Sequence, residues 1–409
     1  MTGGLELVAR MAAVCLGRPV RPKSPTYLKV VSSVPPPGVV HVVSMRSDAV
    51  TVAPVFLALQ QAGDVGQLIV DAGSGPEAGP VGRTLAELGI APAHVRPAVG
   101  PGVGADAAVM AETAGAMMVA EAVLEELAPL VVVVSGSSDA AMAWSLAASK
   151  MQIPVARLEA GLRDRDWRDS REINRVLMDT LADALFATTA DAAENLAREG
   201  IGQSRVHLTG STAVDSLRRM LPRARACAAW SVRGLEPGGY LLVTLRRATA
   251  VDDDERLARI VEAIARLAQT IPVVLPLTDG ERSRLTEMGD AHRLVAAGVR
   301  CERPLSYLES LSLQSRAAAV VTDSGTMQDE ASALGVPCFT LRGVTERSVT
   351  LTHGTNALLG EDPSELADVR PRPGEPTPCA IPLWDGRAGT RIAKVLRSAY
   401  AFARVPRAS

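Results

Sequence analysis

Aromatic residues are nearly absent: four Trp, four Tyr and four Phe make up 3% of a 409-residue chain. Hydrophobic residues still account for 47%, so the core has to be built from Ala, Val and Leu. Cysteine is sparse as well. Cys15, Cys227, Cys301, Cys338 and Cys379 are odd in number, widely scattered and without a CxxC pair. This excludes a disulfide framework and a cysteine-built zinc site, and predicts a reduced, cytoplasmic protein. Neither sign of charge dominates: the net charge of −2 gives no reason to expect nucleic acid or an anionic membrane as partner. No apolar run is long enough to span a bilayer, and Arg10 interrupts the weakly amphipathic stretch from Leu5 to Leu16, unlike a signal-peptide core.

What the chain does contain is a regular alternation. Short apolar runs, Val39–Ser44, Leu68–Asp71, Leu130–Ser135, Val155–Leu158, Ala184–Ala187 and Arg205–Leu208, are separated by Ala/Leu-rich segments of helical period such as Ala107–Glu126. A second series, Tyr240–Leu245, Val273–Leu277, Ala318–Thr322 and Cys338–Leu341, follows a Pro/Gly/Arg-rich break over Arg225–Gly239. Strands buried on both faces with crossover helices predict an α/β fold of two doubly wound, Rossmann-like parallel-sheet domains, with a ligand cleft at the strand carboxyl ends. The length fits two cores. The expected division is an N-terminal extension (1–38), a first domain (39–225), a second domain (240–388) and a C-terminal helix (389–409) crossing back onto the first.

Two segments carry candidate chemistry. Val320-Val321-Thr322 runs into Asp323-Ser324-Gly325-Thr326, and a helix then reads from Met327 to Leu334. The free N–H groups of a helix start, beside the Ser324 hydroxyl, suit a phosphate, and Glu330 one turn on suits the two hydroxyls of a ribose. The second segment is Glu159-Ala160-Gly161-Leu162-Arg163, at a strand's carboxyl end, followed by Arg171-Glu172-Ile173-Asn174-Arg175 at a helix start. Glu159 and Glu172 feeding one cleft suit acid–base work; the alternative from charge patterning is a structural ion-pair network of Glu159, Glu172, Arg163 and Arg175.

With Leu208–Asp215, Leu242–Leu245, Asp323–Ala331, Thr345-Glu346-Arg347 and Gly354-Thr355-Asn356, these segments resemble, in order and spacing, the non-hydrolysing UDP-N-acetylglucosamine 2-epimerase family. The resemblance spans about Val39 to Gly360 and implies a glycosyltransferase-B-type fold. It implies a reaction in which UDP leaves the anomeric carbon and a proton exchanges at C2 through a glycal. It also implies a leaving-group clamp of Arg46, Ser324, Gly325, Thr326 and Arg347. The departures are specific. The family's Gly-Thr-Arg-Pro-Glu turn reads Ser44-Met45-Arg46-Ser47-Asp48 here, with Thr51 at a later Lys. Its Thr-Gly-Gln-His reads Asp71-Ala72-Gly73-Ser74, and its His-Gly-Asp-Thr, source of a catalytic aspartate, reads Ser135-Gly136-Ser137-Ser138. Its His-Arg-x-Glu-Asn reads Arg246-Arg247-Ala248-Thr249-Ala250, and its Pro-Val-His reads Pro276-Leu277-Thr278. Asp139 stands two residues from Ser137, but helical geometry turns its side chain about 200° away. None of His41, His94, His207, His292 and His353 falls on a family catalytic position; His353, beside Gly354, is nearest the expected cleft.

A retained clamp with a depleted acid–base set predicts a repurposed member. It would break the anomeric C–O bond of a sugar activated by a nucleoside diphosphate or bare pyrophosphate and pass it to a nucleobase or amine nitrogen, a hydroxyl or water. Glu159, Glu172 and Arg246 form the predicted catalytic set, and Arg246 and Arg247 strengthen the phosphate hold. Arg163, Ser137, Asp139, Asn174, Thr278 and His353 form a wider candidate set. Two alternatives stand: a 2-epimerase acting on an altered UDP-sugar, and a non-catalytic sugar-nucleotide-binding protein. No resident metal or other cofactor is expected, since HExxH is absent and Asp252-Asp253-Asp254 reads as a helix start; a pyrophosphate substrate would bring its own Mg²⁺. By analogy with the family a homodimer is expected.

Overall fold

The computed structural model describes residues 37–73, 79–91, 95–96, 109–245, 254–369, 371 and 377–400. Arg246, Arg247, His94, Cys15, Asp252, Asp253 and Ser74 lie outside these residues. Twelve strands form two six-stranded sheets in which every pairing is parallel. The first contains β1 (Val39–Val43), β2 (Gln67–Asp71), β3 (Val131–Val134), β4 (Val155–Ala160), β5 (Ala184–Ala187) and β6 (Val206–Leu208), in the order 2-1-3-4-5-6. The second contains β7 (Leu241–Thr244), β8 (Val273–Pro276), β9 (Arg300–Glu302), β10 (Ala319–Thr322), β11 (Cys338–Thr340) and β12 (Asn356–Leu358), in the order 12-11-10-7-8-9. Strand order reverses at β1/β3 in one sheet and at β7/β10 in the other, and ligands of open parallel sheets bind at such points, beyond the strand carboxyl ends. Edge strands β9 and β12 escape sequence patterning because Arg300-Cys301-Glu302 and Asn356-Ala357-Leu358 are three residues each and only partly buried.

The paucity of aromatics is met by close helix packing. Gly389, opening the helix Ala388–Ala399, sits where a Cβ would come within 2.6 Å of the Pro54 carbonyl group in the helix Arg46–Ala62. Pro54 has no N–H for the Val50 carbonyl one turn earlier. The Ser216 hydroxyl donates to that carbonyl at 2.6 Å, so a third helix, Thr212–Cys227, repairs the defect. Among the described residues no helix is long and apolar enough to cross a membrane.

Candidate active site

A cavity of about 260 Å³ opens where the two switch points face each other. Its first wall comes from the helix start after β1 (Arg46, Ser47), the turn after β3 (Gly136, Ser137), the end of β4 (Glu159) and the loop beyond it (Leu162), its second from Thr244 at the end of β7 and Asp323 to Met327 after β10. Most of this lining follows from the topology of the sheets.

Glu159 is the most constrained lining residue. Register between β4 and β5 slips between Leu158 and Ala160, and Glu159 is held in the left-handed region at φ 56°. Only Gly occupies that region without cost, so the bulge re-aims a side chain at the expense of backbone strain. Its carboxylate, 8% exposed, accepts from Arg347 Nη2 of the second half at 2.8 Å. Arg347 Nη1 donates to Asp329 at 2.8 Å, and burial holds the Asp329 carboxyl up at about 7. Arg347 therefore lines the cavity with both Nη atoms already bonded to carboxylates.

Glu172 is not among the lining residues. It accepts from Arg165 N at 3.0 Å and from Arg175 Nε at 2.7 Å, fixing the loop after β4. Arg163 is paired with Asp179 at 2.7 Å and with Glu199 at 2.6 Å, away from the cavity. The network reading thus describes Glu172, Arg163 and Arg175, of which Arg175 also reaches the cavity lining, while Glu159 pairs instead with Arg347 of the second half. Asn174 Nδ2 donates to Asp139 Oδ1 at 2.8 Å and to the Ser137 carbonyl at 3.1 Å, so Asp139 is tied down outside the lining and Ser137 is presented to it. His353 is exposed, its Nδ1 2.8 Å from the Thr352 hydroxyl, and it does not line the cavity. Thr278 lines it, but its hydroxyl caps the helix Asp279–Glu287 in a reciprocal pair with Glu281.

The positions that depart from the family motifs touch one another. Thr51 and Ser135 hydroxyls are 2.5 Å apart, Ser44 and Ser138 hydroxyls 2.7 Å. Asp48 accepts from Ser44 N, Ser44 Oγ and Met45 N, each at 2.9 Å, yet burial still raises its pKa to about 6. A Cβ on Gly136 would come 2.4 Å from Asp48 Oδ1, which only glycine avoids.

On the second wall Ser324 stands at the N-cap position of the helix Gly325–Leu334 with no side-chain cap bond, and Ser324, Gly325, Thr326 and Met327 line the cavity. Glu330 accepts from the Tyr307 hydroxyl at 2.9 Å, and burial raises its pKa to about 7. Arg46 stacks over the Tyr307 ring at 5.6 Å and donates to the Leu305 carbonyl at 3.1 Å. Helix-start N–H groups, an arginine at the seam and a carboxylate one turn on together suit a nucleoside diphosphate. Among the described residues no cluster of three His, Cys, Asp or Glu suited to a metal occurs.

Among the lining residues that escaped sequence reasoning as site candidates are Arg157, Arg171 and Tyr307. Arg157 had a signal, a charge inside the otherwise apolar strand Val155–Ala160. It is 1% exposed, with Nε 3.4 Å from Asp179 Oδ1 and Nη1 without a hydrogen-bond partner among the described residues.

A sequence model of the UDP-N-acetylglucosamine 2-epimerase family matches residues 81–397. The UDP-N-acetylglucosamine 2-epimerase of Methanocaldococcus jannaschii is 36% identical over 293 residues, 70% of this chain and 80% of that protein. The UDP-2,3-diacetamido-2,3-dideoxy-D-glucuronate 2-epimerase of Pseudomonas aeruginosa is 36% identical over 247 residues, 60% of this chain and 67% of that protein. In structure, the M. jannaschii UDP-GlcNAc 2-epimerase crystallised with UDP-GlcNAc and UDP superposes with a TM-score of 0.80 at 30% identity, covering 88% of this chain and 99% of that one. Two parallel-sheet halves facing across a glycosyltransferase-B-type cleft, with these relatives, make this chain a member of the UDP-N-acetylglucosamine 2-epimerase family.

Proposed function

We propose that the chain binds a UDP-activated sugar across the cleft, breaks its anomeric C–O bond and exchanges the proton at C2, as a sugar-nucleotide 2-epimerase. The observation that carries this is Glu159: a buried carboxylate on a strained bulge, aimed between the halves and bonded to Arg347. Strain of order 1–3 kcal/mol persists where the surroundings hold it, and it clusters at working groups. In the forward step the C1–O electron pair leaves with UDP, and the C2–H pair forms the C1–C2 double bond. Glu159 takes the C2 proton. The start of the helix Gly325–Leu334 and Arg46 receive the departing diphosphate, with the ribose hydroxyls on Glu330. Return of UDP to C1 and of a proton from solvent to the other face of C2 completes inversion, and Glu159 releases the proton it took to solvent. The relatives' names support this reading.

Loss of deuterium uptake tests it. Incubation with UDP-N-acetylglucosamine in heavy water should place deuterium at C2, and Glu159→Gln should slow the uptake by roughly 10²–10⁴. Wild-type protein that releases UDP with no C2 label would refute the exchange.

One observation favours a second reading, glycosyl transfer. Ser137 faces the cavity where the family motif supplies an aspartate, and Asp139 is held away by Asn174. In transfer C1–O(UDP) breaks, a C1–N or C1–O bond to a small acceptor forms, and the acceptor's proton passes to Glu159. Acceptor-dependent UDP release without C2 label is its signature.

A further inference from the structure

We propose that Asp329, which does not reach the cavity, is a positioning residue for Glu159: through the guanidinium they share, its charge sets how readily Glu159 takes up a proton. The inference rests on the exchange reading above and deepens it.

The buried Arg347 meets three carboxylates. Nη2 donates to Glu159 Oε1 at 2.8 Å, Nη1 donates to Asp329 Oδ2 at 2.8 Å, and Nε lies 4.0 Å from Glu346 Oε1. Glu346 has a cation of its own, since Arg342 Nη1 donates to its Oε2 at 2.8 Å. Glu159 and Asp329 form no second ion pair among the described residues. Two buried carboxylates thus divide one cation, and a buried cluster with that surplus of negative charge favours holding a proton. Asp329 can hold it without disturbing the cleft. It is fully buried and off the lining, and its Oδ1 has no hydrogen-bond partner among the described residues, so Oδ1 can carry the proton while Oδ2 keeps Arg347. Burial above all, then the charges of Glu159, Glu346 and Glu330, hold this carboxyl up at about 7 against the pull of Arg347.

The surroundings leave Arg347 as the link. The helix Gly325–Leu334 packs on the helices Thr212–Cys227 and Ser348–Thr352 and on β10, β11 and β12. Of the titratable groups there, Asp215 is turned to the Gly389 N–H, and burial pushes the Cys338 thiol up, keeping it neutral. On its own helix Glu330 is bonded to Tyr307. On the first-half side Glu159 faces the Asp48 carboxyl and Arg157, which is paired with Asp179.

With Asp329 neutral, Arg347 is left to Glu159 and stabilises its ionised form, which opposes proton uptake. With Asp329 ionised the cation is divided, and transfer of the C2 proton to Glu159 becomes easier. Exchange at saturating UDP-sugar should therefore rise about threefold or more as pH passes upward through about 7. Saturation sets aside Glu330, whose ionisation acts on binding.

Two measurements decide it, one of them independent of turnover. Carbon-13 NMR titration of the aspartate carboxyls in the full chain, with Asp329→Asn to assign the resonance, follows Asp329 directly. Glu159→Gln should move that titration down by about one pH unit or more, because coupling between two sites is reciprocal. An unchanged Asp329 titration in Glu159→Gln overturns the inference. In kinetics, Asp329→Asn keeps the size and an acceptor for Arg347 but cannot ionise. Its C2 deuterium uptake, counted per UDP-binding site by calorimetry so that misfolded protein is excluded, should lose the rise through pH 7. A variant that keeps the rise overturns the inference, and so does one slowed by the same factor at every pH, the mark of a structural role. Wild-type protein that takes up no deuterium at C2 would sink the exchange reading, and the Glu159–Asp329 link would then stand or fall on the NMR shift.

Discussion

Glu330 combines full burial, a single hydroxyl donor in Tyr307 and a pKa near 7, against an ordinary value of 4.5. A carboxyl raised in the folded state contributes stability that is complete below its unfolded pKa and lost as pH rises through the folded one. Stability of the unliganded protein should therefore fall between pH 4.5 and about 7 through this group. Glu330→Gln, which retains an acceptor for Tyr307, should flatten that fall in urea titrations repeated at several pH values. The sign reverses for ligand. Ribose hydroxyls bond best to the ionised carboxylate, so UDP should bind more tightly as pH passes upward through about 7, and the variant should lose this dependence. A UDP affinity flat with pH in the wild type would remove Glu330 from the ribose site.

Turns and helices set the site through positions that no motif marks. Gly136 has φ 73° and no room for a Cβ against Asp48. Gly136→Ala should cost at least ~1 kcal/mol and push the Ser137 turn into the cavity, measurable as a lowered urea midpoint together with weakened UDP-sugar binding. Ser216→Ala leaves the Val50 carbonyl, opposite Pro54, without its donor in a buried three-helix junction. A stability loss of ~1–3 kcal/mol is expected; Val50 itself lines the cavity, so UDP affinity should fall too, by a smaller amount. An affinity loss equal to the stability loss would mean the junction also sets the position of Arg46 at that helix's start.

At the scale of the molecule, side-chain pairs fasten the two halves: Arg347 to Glu159, Arg342 to Asp164 at 2.9 Å, and Ser348 to Asp191. When Arg342 is removed Asp164 keeps Arg175, and the buried Glu346, which loses its 2.8 Å partner, keeps Arg347 at 4.0 Å, so Arg342→Ala releases one fastening while each carboxylate retains a cation. The expected outcome is a wider cleft without ligand, seen as a larger radius of gyration in small-angle scattering, and faster UDP release in stopped-flow measurements. Identical scattering and release rates would assign the pair to packing alone.

The sequence by itself determined the layered architecture. Valine-rich runs such as Val131–Val134 buried on both faces, alternating with helical segments, admit parallel sheets and little else, and the Ser-Gly helix start after β10 fixes the end at which ligand sits. It did not mark β9 and β12, which are three residues each and only partly buried, nor could it sort the carboxylates near Glu159. Periodicity reports which face of an element is apolar, whereas the partner of a charged side chain depends on which distant segment folds against it. Glu159 and Glu172 read alike in sequence. Only tertiary structure, through a one-residue bulge and the approach of Arg347 from 188 positions away, sends the first into the cleft and ties the second to its own helix. The same holds for Arg157: composition shows a charge in a strand, but that its buried Nη1 has no hydrogen-bond partner among the described residues is a property of the assembled structure.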